Sequence, residues 1–208
     1  MKLELIYPKL PFWRAEISRL ALHLGGVPFD NVHPTWPEVR KMKENGELPF
    51  GQVPILRVDG VTIAQTGAIA RFCGKISGHY PINDALTAAR IDQFVDAGTD
   101  ITLCFRPSMR ERNPQKRQEM RTKLATEVLP KWFGFLEKMI EDNGTGYCVG
   151  DGITIADLTI WRVMGWLRGG ILDGIPTSIG DEFPLLMQHS ARIGSIPEIQ
   201  SWMRAQYG

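Results

Sequence analysis

Two short segments hold residues whose types and spacing can do chemistry. Residues 50–56 read FGQVPIL, and residues 64–72 read AQTGAIARF. Pro54 heads an apolar run that must pair as a strand, yet proline has no N–H to give. A cis Val53–Pro54 bond is one solution, because it turns the Gln52–Val53 backbone outward as a free hydrogen-bonding edge. A peptide-like ligand could pair with that edge as an added strand. Gln65-Thr66 opens a helix, with Thr66 as a first-turn or capping residue. The free N–H groups and positive dipole end of that helix suit a carboxylate. Taken singly, Pro54 reads more simply as a trans loop proline, and Gln65-Thr66 as a plain cap.

Other chemistries lack their residues. Cys73, Cys104 and Cys148 are odd in number and widely spaced, which argues against a disulfide framework and against a Cys-based zinc site. His23, His33, His79 and His189 form no metal-spaced cluster. Surface or capping roles are expected for all four, and no metal. Thiol–disulfide chemistry needs a Cys at the start of the first helix, and the segment Pro8 to Trp13, PKLPFW, has none. Ser18 lies more than a turn inside that helix, too far along to serve as a replacement hydroxyl.

The elements that must carry these segments follow from periodicity. Lys2 to Tyr7 alternates, with Leu3, Leu5 and Tyr7 on one face, and reads as a strand. Ile17, Leu20, Ala21 and Leu24 recur at helical spacing, and Gly25-Gly26 supplies the stop. Phe29 to Val32 suits a second strand. Val53 to Val58, Asp59-Gly60 and Val61 to Ile63 spell a hairpin with a type I′ turn. Ile69, Phe72, Cys73 and Ile76 form the apolar face of the next helix. Beyond GHYPIND, 78–84, the chain is helical throughout. One long helix is expected from Ala85 to about Arg112. Another opens at Pro114 and is kinked by Pro130. A third starts at Thr154, and two shorter ones lie between Phe183 and Tyr207. The expected division is an α/β domain over 1–80, a linker over 81–84 and an all-helical domain over 85–208.

Composition excludes several functions. The 208 residues carry 24 Lys+Arg against 23 Asp+Glu, a net charge of +1. That leaves no strong overall field for nucleic acid or an anionic membrane. Hydrophobic residues make up 43%, too many for a disordered chain. No secretory signal is visible, and no apolar run approaches the ~18 residues that cross a bilayer. A cytoplasmic location is therefore expected.

Taken together, in this order and at this spacing, these motifs resemble the cytosolic glutathione transferases along essentially the whole chain. The resemblance rests on the N-terminal strand ending in tyrosine, Arg14-Ala15-Glu16, Trp36-Pro37-Glu38, VPIL, QTGAIARF, the proline-bearing linker and the helical second half. GDGITIADL, 150–158, is similar to the family's buried capping motif, with Thr154 and Asp157 at capping-box spacing. The closest similarity is to the sigma-like and other tyrosine-type classes. The resemblance implies a thioredoxin-like first domain, an all-α second domain, glutathione as co-substrate and a homodimer. Gln65 and Thr66 would hold the γ-glutamyl end. The Val53 backbone, beside Pro54, would pair with the cysteinyl unit. Gln52, Trp36 and a cation would meet the glycyl end; Arg40 matches in position, and Lys43 is the alternative. FVDAGTD would bring Asp100 to the partner subunit's glutathione.

By the same resemblance, Tyr7 is the catalytic candidate. A thiol like that of free Cys, with a pKa near ~8.5, is mostly protonated at neutral pH. A phenol with pKa near ~10 is neutral there and can donate a hydrogen bond to the sulfur, which favours the thiolate. Tyr7 lies nine residues before Glu16, one more than is typical, which reads as an insertion after Tyr7. Phe12, Trp13, Cys104, Phe105 and Met109 would line a pocket for small hydrophobic electrophiles in a detoxifying transferase. Two alternatives are a glutathione-dependent isomerase of the prostaglandin D synthase kind and a non-catalytic ligand-binding or structural relative.

Overall fold

β1 (Leu3–Ile6) lies at the centre of a four-stranded sheet in the order β2-β1-β3-β4. The computed structural model describes all residues, 1–208. β1 runs parallel to β2 (Asp30–Val32) and antiparallel to β3 (Ile55–Val58), which pairs antiparallel with β4 (Val61–Ala64). A parallel neighbour requires a crossover, and α1 (Trp13–Leu24) supplies it between β1 and β2. Asp59 and Gly60 both have positive φ, 48° and 88°, as a type I′ turn requires.

Strand alternation sends side chains to two faces. Leu3, Leu5 and Leu56 meet Leu22 of α1 and Ile69 and Cys73 of α3 (Thr66–Ser77). Ile6 and Ile55 face the opposite side, where Leu48 joins them with Val39 and Met42 of α2 (Trp36–Glu44). Each such apolar side chain contributes about 1.5–3 kcal/mol on burial. Gly25 ends α1 against α3: a Cβ there would stand 2.5–2.8 Å from Ser77 atoms, so only glycine permits this approach.

The helical remainder begins with α4 (Ala85–Cys104). The expected single helix to Arg112 is interrupted, because Pro107 has no N–H for the preceding turn. The chain restarts as α5 (Arg106–Arg110), with Pro107 in its first turn. α6 (Pro114–Lys123) and α7 (Leu129–Asn143) are joined by a π-helical turn at Leu124–Val128. There the Leu129 N–H bonds to the Leu124 carbonyl. The irregularity expected at Pro130 thus takes the form of a wider turn just ahead of it. α8 (Ile155–Leu167), α9 (Pro184–Gly194) and α10 (Pro197–Tyr207) complete the chain.

Two compact units result, Met1–Ala88 with Ile196–Gly208, and Ala89–Ser195. The break near Ala88 lies close to the expected linker, but the segment 85–208 does not stay whole. α10 joins the first unit, because Glu16 of α1 accepts hydrogen bonds from Trp202 Nε1 and the Tyr207 hydroxyl, both at 2.5 Å. No helix of the chain is long and apolar enough to cross a membrane.

Candidate functional site

The Val53–Pro54 bond is cis. Val53 lies ahead of β3, and its N–H and C=O make no backbone hydrogen bond within the chain. Across from it, α3 begins at Thr66 with Gln65 as its N-cap, and no side chain caps the exposed N–H groups. Gln65 has φ 74° and ψ 125°, a conformation that costs a non-glycine residue of order 1–3 kcal/mol. The Thr66 side chain is 5% exposed and its hydroxyl has no partner. Leaving such a group unsatisfied costs about 1–3 kcal/mol. Both costs fall at the mouth of the same helix.

Arg14, Gln52, Val53, Pro54, Gln65 and Thr66 line one small cleft. Four polar features therefore converge there: a free strand edge, an uncapped helix start, an unused hydroxyl and a guanidinium. An extended, anionic, peptide-like molecule fits that set. A larger cleft of about 440 Å³ lies in the second unit, bounded by Glu141 and Arg192, and holds none of the residues singled out from the sequence.

Trp36 opens α2 and is 58% exposed. Thr35 and Glu38 form a reciprocal capping box that fixes this helix start. The signal T-x-x-E was present in the sequence. Arg40 and Lys43 are both exposed. Lys43 lies against the loop leading to Gln52: a Cβ built on Gly51 would stand 3.1 Å from its Cε and 3.6 Å from its Nζ.

Tyr7 follows β1 directly and is 6% exposed. Its N–H bonds to the Val32 carbonyl at 3.1 Å. Its carbonyl accepts from Arg19 Nη2 at 3.1 Å and lies 3.2 Å from His33 Nδ1. The Arg19 guanidinium is 5.8 Å from the ring centroid. Burial raises the phenol pKa above its usual 10, against the pull of Arg14 and Arg19. At neutral pH Tyr7 is thus a hydrogen-bond donor. Arg19 stands opposite the apolar stripe of α1, on the side it shares with Glu16, so no periodicity in the sequence marks it as buried.

The other residues singled out divide between the two units, Phe12 and Trp13 in the first and Asp100, Cys104, Phe105 and Met109 in the second. Asp100 is exposed on α4. Trp13 and Phe105 are fully buried, Phe105 edge-on to Trp166 at 4.9 Å and 5.1 Å from the Arg121 guanidinium. Neither ring presents a face to a ligand. Phe12 and Cys104 are half-buried, and Met109 is exposed.

The capping motif forms as expected. Thr154 caps α8, and Asp157 accepts from the Thr154 N–H at 2.8 Å and from the Cys148 N–H at 2.7 Å. His189 is a correction to its expected surface or capping role. It is buried, with Nε2 3.0 Å from Asp157 Oδ1 and 3.5 Å from Cys148 Sγ. The three donor atoms lie within 4.8 Å of one another. Burial, then Asp157, pushes the Cys148 thiol well above its usual range, which removes it as a nucleophile.

The chain is similar to known proteins along most or all of its length. The sequence model for the family described as glutathione S-transferase, C-terminal domain, matches residues 99–206. A glutathione S-transferase of Plasmodium yoelii yoelii is 32% identical over 198 residues, 91% of this chain and 88% of the relative. The solved structure of a monomeric glutathione S-transferase from the hookworm Necator americanus is 29% identical, with a TM-score of 0.84 over 100% of this chain and 98% of that one. A prostaglandin synthase D of Nilaparvata lugens, 22% identical, shares the fold with a TM-score of 0.85 over 98% of both chains. The chain belongs to the glutathione S-transferase family.

Proposed function

We propose that this chain is a glutathione transferase that holds glutathione in the cleft between Gln52 and Thr66 and activates its thiolate with Tyr7. The observation that carries the reading is the meeting, in one cleft, of the free Val53 backbone and the unpartnered Thr66 hydroxyl at the start of α3. The γ-glutamyl carboxylate sits on the α3 N-terminus with Gln65 and Thr66, where N–H groups and the dipole favour an anion. The cysteinyl unit pairs with the Val53 backbone beside Pro54. Trp36, Gln52 and a cation meet the glycyl end. Lys43 is preferred to Arg40 for that cation, because its stem runs along Gly51 toward Gln52.

Tyr7 then donates its O–H to the sulfur as the thiol proton passes to solvent, and the thiolate forms a C–S bond to the electrophile while the leaving group departs with its bonding pair, as chloride does from a chloronitrobenzene. A phenol held neutral by burial loses no proton in that role. Arg14 adds positive potential from the cleft wall. Phe12, on the loop after Tyr7, is the accessible apolar side chain offered to a small hydrophobic electrophile. A cytoplasmic, detoxifying, sigma-like homodimer fits these features. Asp100, exposed on α4 and without an ion pair, is available to reach the partner subunit's glutathione. The hookworm relative is described as monomeric, so the dimer needs its own test. Turnover of a chloronitrobenzene with glutathione tests the whole reading. Retention on immobilised glutathione without turnover would instead indicate a non-catalytic binder.

A further inference from the structure

We propose that Arg19 is a positioning residue for Tyr7, locked in place by Tyr207, so that the last helix helps set the acidity of the thiol held at Tyr7. The inference rests on Tyr7 being the activating hydroxyl.

Arg19 is a fully buried cation in the middle of a helix that is buried from Ala15 to Leu22. Such a group is costly unless its charge is paired and its donors are engaged. Here they are. Nε donates to Asn31 Oδ1 at 2.9 Å. Nη1 lies 3.2 Å from Glu16 Oε2, 2.9 Å from the Tyr207 hydroxyl oxygen and 3.3 Å from the Leu10 carbonyl. Nη2 donates to the Tyr7 carbonyl at 3.1 Å and lies 3.3 Å from His33 Nδ1. One planar fork thus holds the carbonyls of Tyr7 and Leu10, at the start and in the middle of the loop that follows β1. The same charge stands 5.8 Å from the Tyr7 ring, where it makes the phenol a stronger donor.

The fork is held in turn from α10. Tyr207 donates to Glu16 Oε2 at 2.5 Å and accepts from Arg19 Nη1. Trp202 Nε1 donates to Glu16 Oε1 at 2.5 Å. Burial and the Glu16 carboxylate raise the Tyr207 pKa, so this hydroxyl keeps its proton. Arg19 and Tyr207 take no part in the Gln52–Thr66 cleft. The charged and titratable groups around Tyr7 are Arg14 and Arg19 from α1 and His33 from the segment after β2; Lys9 and Glu16 stand behind His33. A pair serving only to fasten α10 would not need to direct Nη2 at the Tyr7 carbonyl.

The test is a titration of the bound glutathione thiol in the full chain and in Tyr207→Phe, Tyr7→Phe and the double variant, with thermal unfolding alongside. Tyr207→Phe removes one hydroxyl from a half-buried site, so a folded protein is expected. It should raise the bound thiol pKa by about half a unit, a roughly threefold loss of thiolate below that pKa. Glutathione affinity should stay unchanged. In the Tyr7→Phe background the same substitution should add nothing further. A lower unfolding temperature with an unchanged thiol pKa would reduce Tyr207 to a fastening and overturn the inference alone. Equal rises in both backgrounds would also overturn it, since the effect would bypass Tyr7. If Tyr7→Phe leaves the pKa at the parent value, the assignment of Tyr7 falls and this inference falls with it.

Discussion

The Lys43 ammonium lies along Gly51, close enough that a Cβ at Gly51 would stand 3.6 Å from Nζ. Gly51 has φ 62°, so both its conformation and its bare Cα suit this approach. The contact carries the Lys43 charge toward Gln52; the three atoms nearest a Cβ at Gly51 all belong to Lys43 and none to Arg40, one turn earlier on α2. Lys43→Ala should therefore raise the KM for glutathione by about ten- to hundredfold, as expected for a lost charge-assisted hydrogen bond of roughly 1.5–3 kcal/mol. Arg40→Ala should change it little. Equal effects of the two substitutions would remove the distinction.

Thr66 permits a test in which stability and affinity move apart. Its buried hydroxyl is unpartnered in the free chain. Thr66→Val removes a polar group that costs about 1–3 kcal/mol to bury unsatisfied. Denaturant unfolding should show the variant as stable as the parent or more so. Glutathione binding by calorimetry should weaken by about 1–3 kcal/mol, because the carboxylate loses a donor. Loss of both together would mark Thr66 as structural.

Asp157 belongs to the fold. Burial raises its pKa, but His189 and the Cys148 and Thr154 N–H groups together bring it below the usual carboxylate value. A carboxylate whose folded pKa is depressed stabilises above its unfolded pKa of ~3.9, and that contribution is lost as pH falls through the folded value. The parent should thus lose stability on acidification below pH ~4. Asp157→Ala should remove about 3–5 kcal/mol at neutral pH, since it leaves buried donors without an acceptor, and should flatten the acid limb. Per folded molecule, glutathione affinity should be unchanged.

The sheet was legible because its signals are local. Alternation in 2–7, Asp59-Gly60 and the T-x-x-D of the second unit each act within a few residues. What escaped acts at a distance. Glu16 and Trp202 are separated by 186 positions, and no periodicity links them, so α10 was expected in the helical domain. His189 pairs with Asp157 across 32 positions, and a single histidine carries no sign of being buried. Pro130 announced an irregularity without specifying that a π turn would absorb it. Arg40 and Lys43 lie on one exposed helix, and the approach of Gly51 from another loop separates them.

If Asp100 reaches the partner subunit's glutathione as proposed, the oligomeric state and the site are linked. Sedimentation at micromolar concentration should give about twice the 23.4 kDa chain mass. Asp100→Asn should weaken glutathione binding while leaving the mass unchanged. A monomer with the parent's affinity would end the cross-subunit role.

Tyr7→Phe keeps the ring and the backbone contacts to Val32 and Arg19, and removes only the O–H. The bound thiol pKa should rise by about one to two units, a loss of ~1.4–2.7 kcal/mol. Turnover near neutral pH should fall roughly ten- to hundredfold where the thiolate is the reacting form. Glutathione affinity should change little, because Thr66, Val53 and Lys43 remain. The pH profile adds a second check. Burial holds the Tyr7 phenol above its usual 10, so the donor stays protonated across the working range. In the parent, kcat/KM should rise with the ionisation of the thiol and then stay level beyond pH 9. In the variant the same rise should shift to higher pH and approach the parent's plateau. A variant with the parent's profile would transfer the role to Arg14, to a backbone N–H or to a water held by the lengthened loop. A plateau that collapses in the parent near pH 9 would show instead that the phenol ionises there and that burial does not protect it.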